Sequence, residues 1–150
     1  MIKILHTGDI HLGSLTGPEK NGINLRREDT LRCMDEIVQT AREEQPDLTI
    51  IAGDLFNRSR VWADTALDDV RDAVERLLRP LCECSGHVVL LFGTANHDNP
   101  KAFENIFTMT NDLENLNVDT APALYRLRCN DGSWVQIMSV PGFDKGRLRT

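Results

Sequence analysis

Several large classes of protein are excluded by what the sequence lacks. No apolar run approaches the roughly 18 residues that a membrane-spanning helix requires. None of the four cysteines forms a C-x-x-C pair, and Cys82 and Cys84 are too close together for the usual spacing of zinc ligands. Basic residues (17) are outnumbered by acidic ones (23), so the net charge is −6. We therefore expect neither a membrane protein, nor a cysteine-held zinc site, nor a protein that binds nucleic acid through bulk positive charge.

Two further absences bear on activity and location. The sequence contains no G-x-x-x-x-G-K phosphate loop, so we do not expect this chain to hydrolyse ATP. The apolar stretch near its start is interrupted by Lys3 and His6, which is not the layout of a signal peptide. Because the cysteines also lack a pairing pattern, we expect a cytoplasmic protein with free thiols.

The order of apolar segments predicts an α/β fold. The chain has 150 residues, 41% of them apolar and 27% charged, which fits a single globular domain. Three apolar runs, at residues 2–6, 47–54 and 87–93, are typical of buried strands. Between them, residues 24–45 and 63–81 carry apolar side chains at helical spacing, and Pro80 is expected to disturb the last turn of the second helix. Strands that alternate with helices in this way predict parallel pairing through right-handed crossovers.

The last third of the chain follows a different pattern. Residues 100–113 suggest a short helix, and residues 123–142 alternate around Asn130-Asp131-Gly132, a good signal for a β-hairpin. We interpret residues 1–150 as one domain. Because only a hairpin is available for its second layer, we expect the N-terminal part of a larger domain that is incomplete at its C-terminal side.

Polar side chains follow each of the three predicted strands. The strands run into "GDIH", "GDLFNR" and "GTANHD". Because the carboxyl ends of parallel strands meet at one edge of a sheet, these motifs bring together a single set of residues. The set comprises Asp9, His11, Asp54, Asn96 and His97. The alternative interpretation is three solvated polar loops.

Carboxylate, imidazole and amide groups suit Mn²⁺, Fe²⁺ or Zn²⁺ better than a soft metal. Asp9 and His11 lie two residues apart on what we expect to be an extended strand end, so their side chains should leave on the same side and hold one ion. Asp54 can bridge two ions, and Asn96 can bind the second through its oxygen. Two ions about 3.5–4 Å apart can activate a bridging hydroxide and hold a phosphoryl group for in-line attack.

The motifs "DIH", "GDLFNR" and "NHD" resemble those of the calcineurin-like metallophosphoesterases. The longer stretches "ILHTGDIHLGS", "REDTLRCMDEIV" and "PDLTIIAGDLF" are similar to the SbcD-type DNA repair exonucleases within that group. The resemblance covers about residues 1–107. It implies an αββα sandwich, a dinuclear Mn²⁺ site, phosphodiester hydrolysis of DNA and a separate SMC-like ATPase partner. A homodimer is a further expectation.

The resemblance also implies a role for each motif residue. Asp9 and His11 would bind the first metal, Asp54 would bridge, and Asn96 would bind the second metal. His97 would face the substrate and either stabilise the transition state or protonate the leaving oxygen.

The sequence departs from the family pattern at two places within these motifs. Ala95 stands where the family usually has glycine before the Asn-His pair, so we expect the loop to reach the metal by a different path. Asn57 stands where many phosphatases of the family have aspartate, so we expect its amide to orient His97 and to favour a nuclease over a phosphatase. Arg58 matches a phosphate-facing arginine of the family, although a solvated loop charge explains it equally well.

A third departure concerns histidine. The family takes further metal ligands from later histidines, whereas the four histidines here are His6, His11, His87 and His97. We therefore expect about half of a metal site. Three functions remain open: a DNA-cleaving phosphodiesterase, a phosphatase or small-molecule phosphodiesterase of the same fold, and a non-catalytic remnant that serves as a binding module.

Overall fold

The computed structural model describes residues 1–13, 16–57 and 63–142, with the side chains of residues 63–66 excepted. In chain order its elements are β1 (Ile4–Thr7), β2 (Glu19–Lys20), β3 (Ile23–Asn24), α1 (Leu25–Glu44), β4 (Leu48–Ile51), α2 (Ala63–Asp72), a π-helical segment (Ala73–Leu78), α3 (Arg79–Cys84), β5 (His87–Leu91), α4 (Pro100–Met109), β6 (Leu116–Asp119), β7 (Ala123–Arg128) and β8 (Trp134–Ser139).

A parallel sheet with the strand order β1-β4-β5-β6 organises the fold. Its first three strands and the helices between them confirm the α/β prediction. The fourth strand, β6, was not predicted, because "LNVD" is too short to show a period. The predicted hairpin is confirmed: β7 pairs with β8 in antiparallel fashion, and the turn between them contains Gly132 with a φ of 83°. A second, two-stranded pair of β2 and β3 was also missed.

The two faces of the parallel sheet are covered differently. On one face, Ile51, Val88 and Leu90 pack against the buried sides of the helices, which contribute Met34, Val38, Val74, Leu77, Phe103 and Ile106. On the other face, Leu48 and Val89 pack against Leu127 of the hairpin. The order helix layer, sheet and hairpin agrees with the N-terminal part of the predicted sandwich.

The long helical run at residues 63–84 contains an unusual widening. Proline lacks an N–H group, and its ring collides with the carbonyl four residues earlier in a regular α-helix. Before Pro80 the helix therefore opens into a π-helical segment, in which the N–H of Arg79 bonds the carbonyl of Val74. The helix then continues to Cys84. Pro80 therefore disturbs the helix, as expected, but does not end it. Within the described residues, no helix combines the length and the apolar character needed to cross a membrane.

Asp47 ties three segments together at the amino end of β4. Its buried carboxylate accepts hydrogen bonds from the main-chain N–H of Lys3 (2.8 Å) and of Asn130 (2.7 Å). The first bond secures the start of β1, and the second secures the turn of the hairpin. These bonds, led by the one from Lys3, hold the pKa of Asp47 below its ordinary value.

We predict that Asp47 makes folding stability sensitive to acid. Because its pKa is lowered in the folded state, its contribution is present above the unfolded pKa of about 4 and is lost as the pH falls through the lower folded value. The variant Asp47→Asn should be less stable than wild type at pH 7 and should lose less stability between pH 5 and pH 2. Urea denaturation at a series of pH values measures this, with the exposed Asp29→Asn as control. Equal acid slopes for Asp47→Asn and wild type would contradict the prediction.

Candidate metal centre

Two loops leave the carboxyl edge of the sheet side by side. Beyond β1 and β4, the main-chain N–H of Asp9 donates to the carbonyl of Gly53 (3.2 Å) and that of His11 donates to the carbonyl of Asp54 (3.1 Å). The pairing ends in a parallel bridge between Leu12 and Phe56. The two motifs are therefore held by main-chain hydrogen bonds as an extension of the sheet.

The conformation of these loops corrects one expectation. Asp9 and His11 do not lie on an extended strand end, since each has a φ of 54°, and Asp54 has a φ of 50°. This left-handed region is costly for residues other than glycine, although Asp, Asn and His enter it more readily than most. The side chains of Asp9 and His11 nevertheless meet, because Oδ1 of Asp9 lies 3.5 Å from Nε2 of His11.

Three side chains from three different strand ends converge. Ligand atoms of His11, Asp54 and His97 all lie within 4.8 Å of one another, and all three residues are partly buried. The rings of His11 and His97 pack edge to face with their centroids 4.3 Å apart. Asp9 lies beside this group with 83% of its side chain exposed. The three predicted strand ends thus meet at one edge.

His97 is oriented by the main chain. Its Nδ1 lies 2.9 Å from the carbonyl oxygen of Asn57. Since a carbonyl only accepts, Nδ1 must carry the hydrogen, and Nε2 is the nitrogen left for a metal ion or a phosphate oxygen. The role of the Asn57 amide in orienting His97 stays a prediction, while the contact at Nδ1 is made by the main-chain carbonyl, which every residue type possesses.

Asp54 is oriented through Thr94. The main-chain N–H of Thr94 donates to Oδ1 of Asp54 (2.7 Å), and the Thr94 hydroxyl lies 3.2 Å from the same oxygen. With Oδ1 held in this way, Oδ2 is the more available oxygen for a ligand. Sequence reasoning assigned no role to Thr94.

Like Thr94, Asp98 belongs to the third motif and was given no role by sequence reasoning. Its side chain is fully buried and accepts main-chain hydrogen bonds from Gly93 (2.6 Å), Asp54 (3.0 Å) and Phe56 (3.1 Å). Burial raises the pKa of Asp98 above its ordinary value, while the N–H groups of Phe56 and Gly93 act in the opposite direction. The sequence signal that could have indicated a structural role for Asp98 is its position between an apolar strand and the helix cap Asn99.

Close approach of the main chain explains the glycine at position 93. A Cβ atom there would collide with the main-chain nitrogen and Oδ1 of Asp54. Gly142 approaches from the far side of the chain, and its N–H donates to the carbonyl of Phe92 (2.7 Å). Neither Gly93 nor Ala95 is among the described residues with positive φ, so the alanine in the third motif imposes no left-handed strain.

Two other predicted residues are less defined. Asn96 lies exposed in the turn at residues 95–97, and its role as a ligand stays a prediction. Arg58 lies outside the described residues, as does its proposed contact with phosphate.

The donor set fits a divalent metal ion. Two imidazoles and a carboxylate converge on one point, a second carboxylate stands beside them, and these are ligands that Mn²⁺, Fe²⁺ and Zn²⁺ accept.

Comparison with known proteins identifies the family. The profile of the calcineurin-like phosphoesterase family matches residues 2–148. The chain belongs to this family. The resemblance inferred from the three motifs is thereby confirmed, and so is the fold class that it implied.

One relative extends the comparison to a repair protein. The DNA double-strand break repair protein Mre11 of Aeropyrum pernix is 38% identical over 100 residues. The aligned region covers 67% of this chain and 22% of the relative, so the chain spans about a fifth of that protein's length.

We predict that Gly93→Ala disturbs the metal centre whereas Gly8→Ala does not. The added methyl group at position 93 must displace Asp54, at a cost of about 1–3 kcal/mol. At Gly8 the nearest atom to an added Cβ is Cβ of Ala52 at 3.4 Å, an ordinary contact. Urea denaturation gives the stabilities, and the two-dimensional NMR spectrum reports whether the Asp54 amide shifts. Equal stabilities for the two variants would show that the close contact at Gly93 is not required.

Proposed function

We propose that this chain carries the metal-dependent active site of a phosphodiesterase that hydrolyses DNA, of the SbcD and Mre11 kind. The observation that carries the proposal is the convergence of His11, Asp54 and His97 at the carboxyl edge of the sheet, in a chain of the calcineurin-like phosphoesterase family. The order of the motifs and the donor types support the same conclusion.

Each residue has a distinct task in this proposal. Asp9 and His11 would hold one divalent ion, Asn96 would hold a second, and Asp54 would contact both. When bound, such ions supply positive charge for the phosphate and lower the pKa of water. Nε2 of His97, directed by the Nδ1 contact with the Asn57 carbonyl, would hydrogen-bond the phosphate or the leaving oxygen.

DNA is the proposed substrate class because the chain is similar to a DNA repair protein. The similarity to the Mre11 protein of Aeropyrum pernix supports a repair nuclease. The net charge of −6 requires that cations, rather than bulk basic surface, offset phosphate repulsion at the site. A phosphatase is the alternative, since the motif residues act on the phosphorus centre and not on the bases.

The cellular setting is also a proposal. Mn²⁺ is the metal that we favour, and the resemblance to SbcD-type nucleases suggests an SMC-like ATPase as partner. All four cysteines are free thiols, which supports a cytoplasmic location.

We predict slow Mn²⁺-dependent cleavage of DNA by the wild-type chain at millimolar metal. The rate should be low, because the further histidines of the family's metal site have no counterpart among the four histidines. Asp54→Ala should remove the activity, whereas Asp29→Ala, an exposed carboxylate on α1, should retain it. The assay compares labelled DNA with a generic aryl phosphodiester and an aryl phosphomonoester.

The outcomes separate the three functions. Cleavage of DNA that depends on Asp54 supports the nuclease. Preferential hydrolysis of the monoester would support the phosphatase instead. Mn²⁺ binding without hydrolysis of any substrate would support a non-catalytic binding module.

We further propose that the protein forms a homodimer through α2 and α4, which pack against each other. Each helix exposes a large apolar side chain, with Leu67 51% exposed and Phe107 67% exposed. Phe107 also lines a recess of about 660 Å³ together with Phe103 and Pro100. Exposed apolar surface of this kind is typical of an interface.

The variant Phe107→Glu should weaken this dimer by about ten-fold or more, because it places a charge within the proposed apolar interface. The control is Leu124→Glu, which alters an equally exposed apolar side chain on β7. Sedimentation equilibrium measures the association constant. A monomeric wild type, or equal weakening by both variants, would rule out this interface.

A further inference from the structure

We propose that Asp98 is the positioning residue of the metal centre: its carboxylate holds the main chain of Asp54 and of the loop after β5 in the arrangement that directs Asp54 and His97 to one point. This inference rests on the proposed function, since it concerns the same site. It assigns Asp98 no contact with metal or substrate.

In the part of the chain that the structure describes, the Asp98 carboxylate is paired with main-chain N–H groups and not with a basic side chain. It is completely buried, and within the described residues no lysine, arginine or histidine forms an ion pair with it. Instead, three main-chain N–H groups donate to its two oxygens. A buried carboxylate requires such donors, and bonds to a charged acceptor are stronger than those between neutral groups. The three donors are therefore held firmly in place.

The N–H groups that donate to Asp98 come from both loops of the site. Oδ2 accepts from Asp54 at 3.0 Å and from Gly93 at 2.6 Å, so one oxygen joins the loop after β4 to the loop after β5. Asp54 has a left-handed φ of 50°, a conformation that is costly for a residue with a Cβ. The hydrogen bond to its N–H offsets that cost at the residue that is proposed to contact both metal ions.

Thr94 connects the main chain held by Asp98 to the side chains of the site. Thr94, the neighbour of Gly93, donates its N–H to Oδ1 of Asp54. Thr94 also accepts from the N–H of His97 (3.0 Å) through its carbonyl. Fixing Gly93 therefore fixes Thr94, and Thr94 in turn orients both Asp54 and His97.

An amide cannot replace this carboxylate. Oδ2 of Asp98 accepts two N–H groups and Oδ1 accepts one. In Asp98→Asn, either orientation of the amide turns its NH₂ group towards at least one of these donors. A buried N–H would then lose its acceptor, and the loops must separate or rotate.

The chain contains a matched control at the opposite end of β4. Asp47 is also buried, and it also accepts two main-chain hydrogen bonds, from Lys3 and Asn130. Its bonds secure the amino end of the strand, whereas those of Asp98 secure the carboxyl end. Asp47→Asn therefore makes the same chemical change at the opposite end of β4, away from the site.

The test measures Mn²⁺ affinity separately from stability. Free Mn²⁺ is titrated by electron paramagnetic resonance with the wild-type chain, Asp98→Asn and Asp47→Asn, at a temperature where circular dichroism shows all three to be folded. We expect Asp98→Asn to bind Mn²⁺ about 10–100-fold more weakly, as is usual when the partner of a metal ligand is removed. Asp47→Asn should match wild type within about two-fold, since distant sites act independently.

Each other outcome has a defined meaning. Equal weakening by both variants would show a general effect of stability and would overturn the proposal. An unchanged affinity in Asp98→Asn would overturn it while leaving the proposed function intact. Absence of Mn²⁺ binding by the wild-type chain would contradict the metal site itself, and the proposal with it.

A second measurement applies should Asp98→Asn fail to fold. Amide hydrogen exchange of the wild-type chain is followed by NMR at Asp54, Phe56 and Gly93. We expect these loop amides to exchange as slowly as those within β4, because each donates to a buried carboxylate. Exchange at the rate of the exposed turn at residues 95–97 would overturn the proposal.

Discussion

The hydrogen bonds between the buried carboxylate of Asp98 and three main-chain N–H groups join the loop after β4 to the loop after β5 at the carboxyl edge of the sheet. The loops after β1 and β4 pair with each other through main-chain hydrogen bonds, but the N–H groups of Asp54, Phe56 and Gly93 donate to the Asp98 carboxylate instead. Here a single side chain collects donors from two neighbouring loops. The close contact at Gly93 and the left-handed backbone of Asp54 both lie in the segments that these bonds join.

A second set of charges secures the helices beside the first loop. Arg27 of α1 donates to Asp69 (2.9 Å) and also pairs with Asp72, both of which lie on α2. Asp69 in turn lies next to Gly13, just after the first motif. Burial raises the pKa of Asp69, while its bonds to Arg27 act in the opposite direction. The positive charge of Arg27 therefore stabilises the buried carboxylate of Asp69, whereas main-chain N–H groups stabilise that of Asp98.

The sequence predicts those parts of the fold that leave a periodic or positional pattern. Apolar runs revealed β1, β4 and β5, helical spacing revealed α1 and α2, and the rule for carboxyl ends of parallel strands placed Asp54 and His97 at one edge. The main-chain details were not predictable in this way. Left-handed values at Asp9 and His11 leave no local signal, since neither residue is glycine.

Contacts between distant segments could not be predicted from the sequence pattern either. Two of the three N–H groups that bind Asp98 are more than 40 residues away in the chain, and they become its neighbours only when β4 and β5 pair. The partner of His97 is a carbonyl, which no residue identity reveals. The strand β6 was missed because four residues, two of them polar, carry too little periodicity.

The π-helical segment before Pro80 has a consequence for how the chain length of this domain can change. A π-helical turn holds one more residue than an α-helical turn, so it marks a place where a single insertion is absorbed without rotating the flanking helices. Removing one residue from this segment would restore regular geometry, but the ring of Pro80 would then clash with the carbonyl four residues before it. The extra residue and the proline therefore depend on each other. We expect related chains to gain or lose them together, as one paired change.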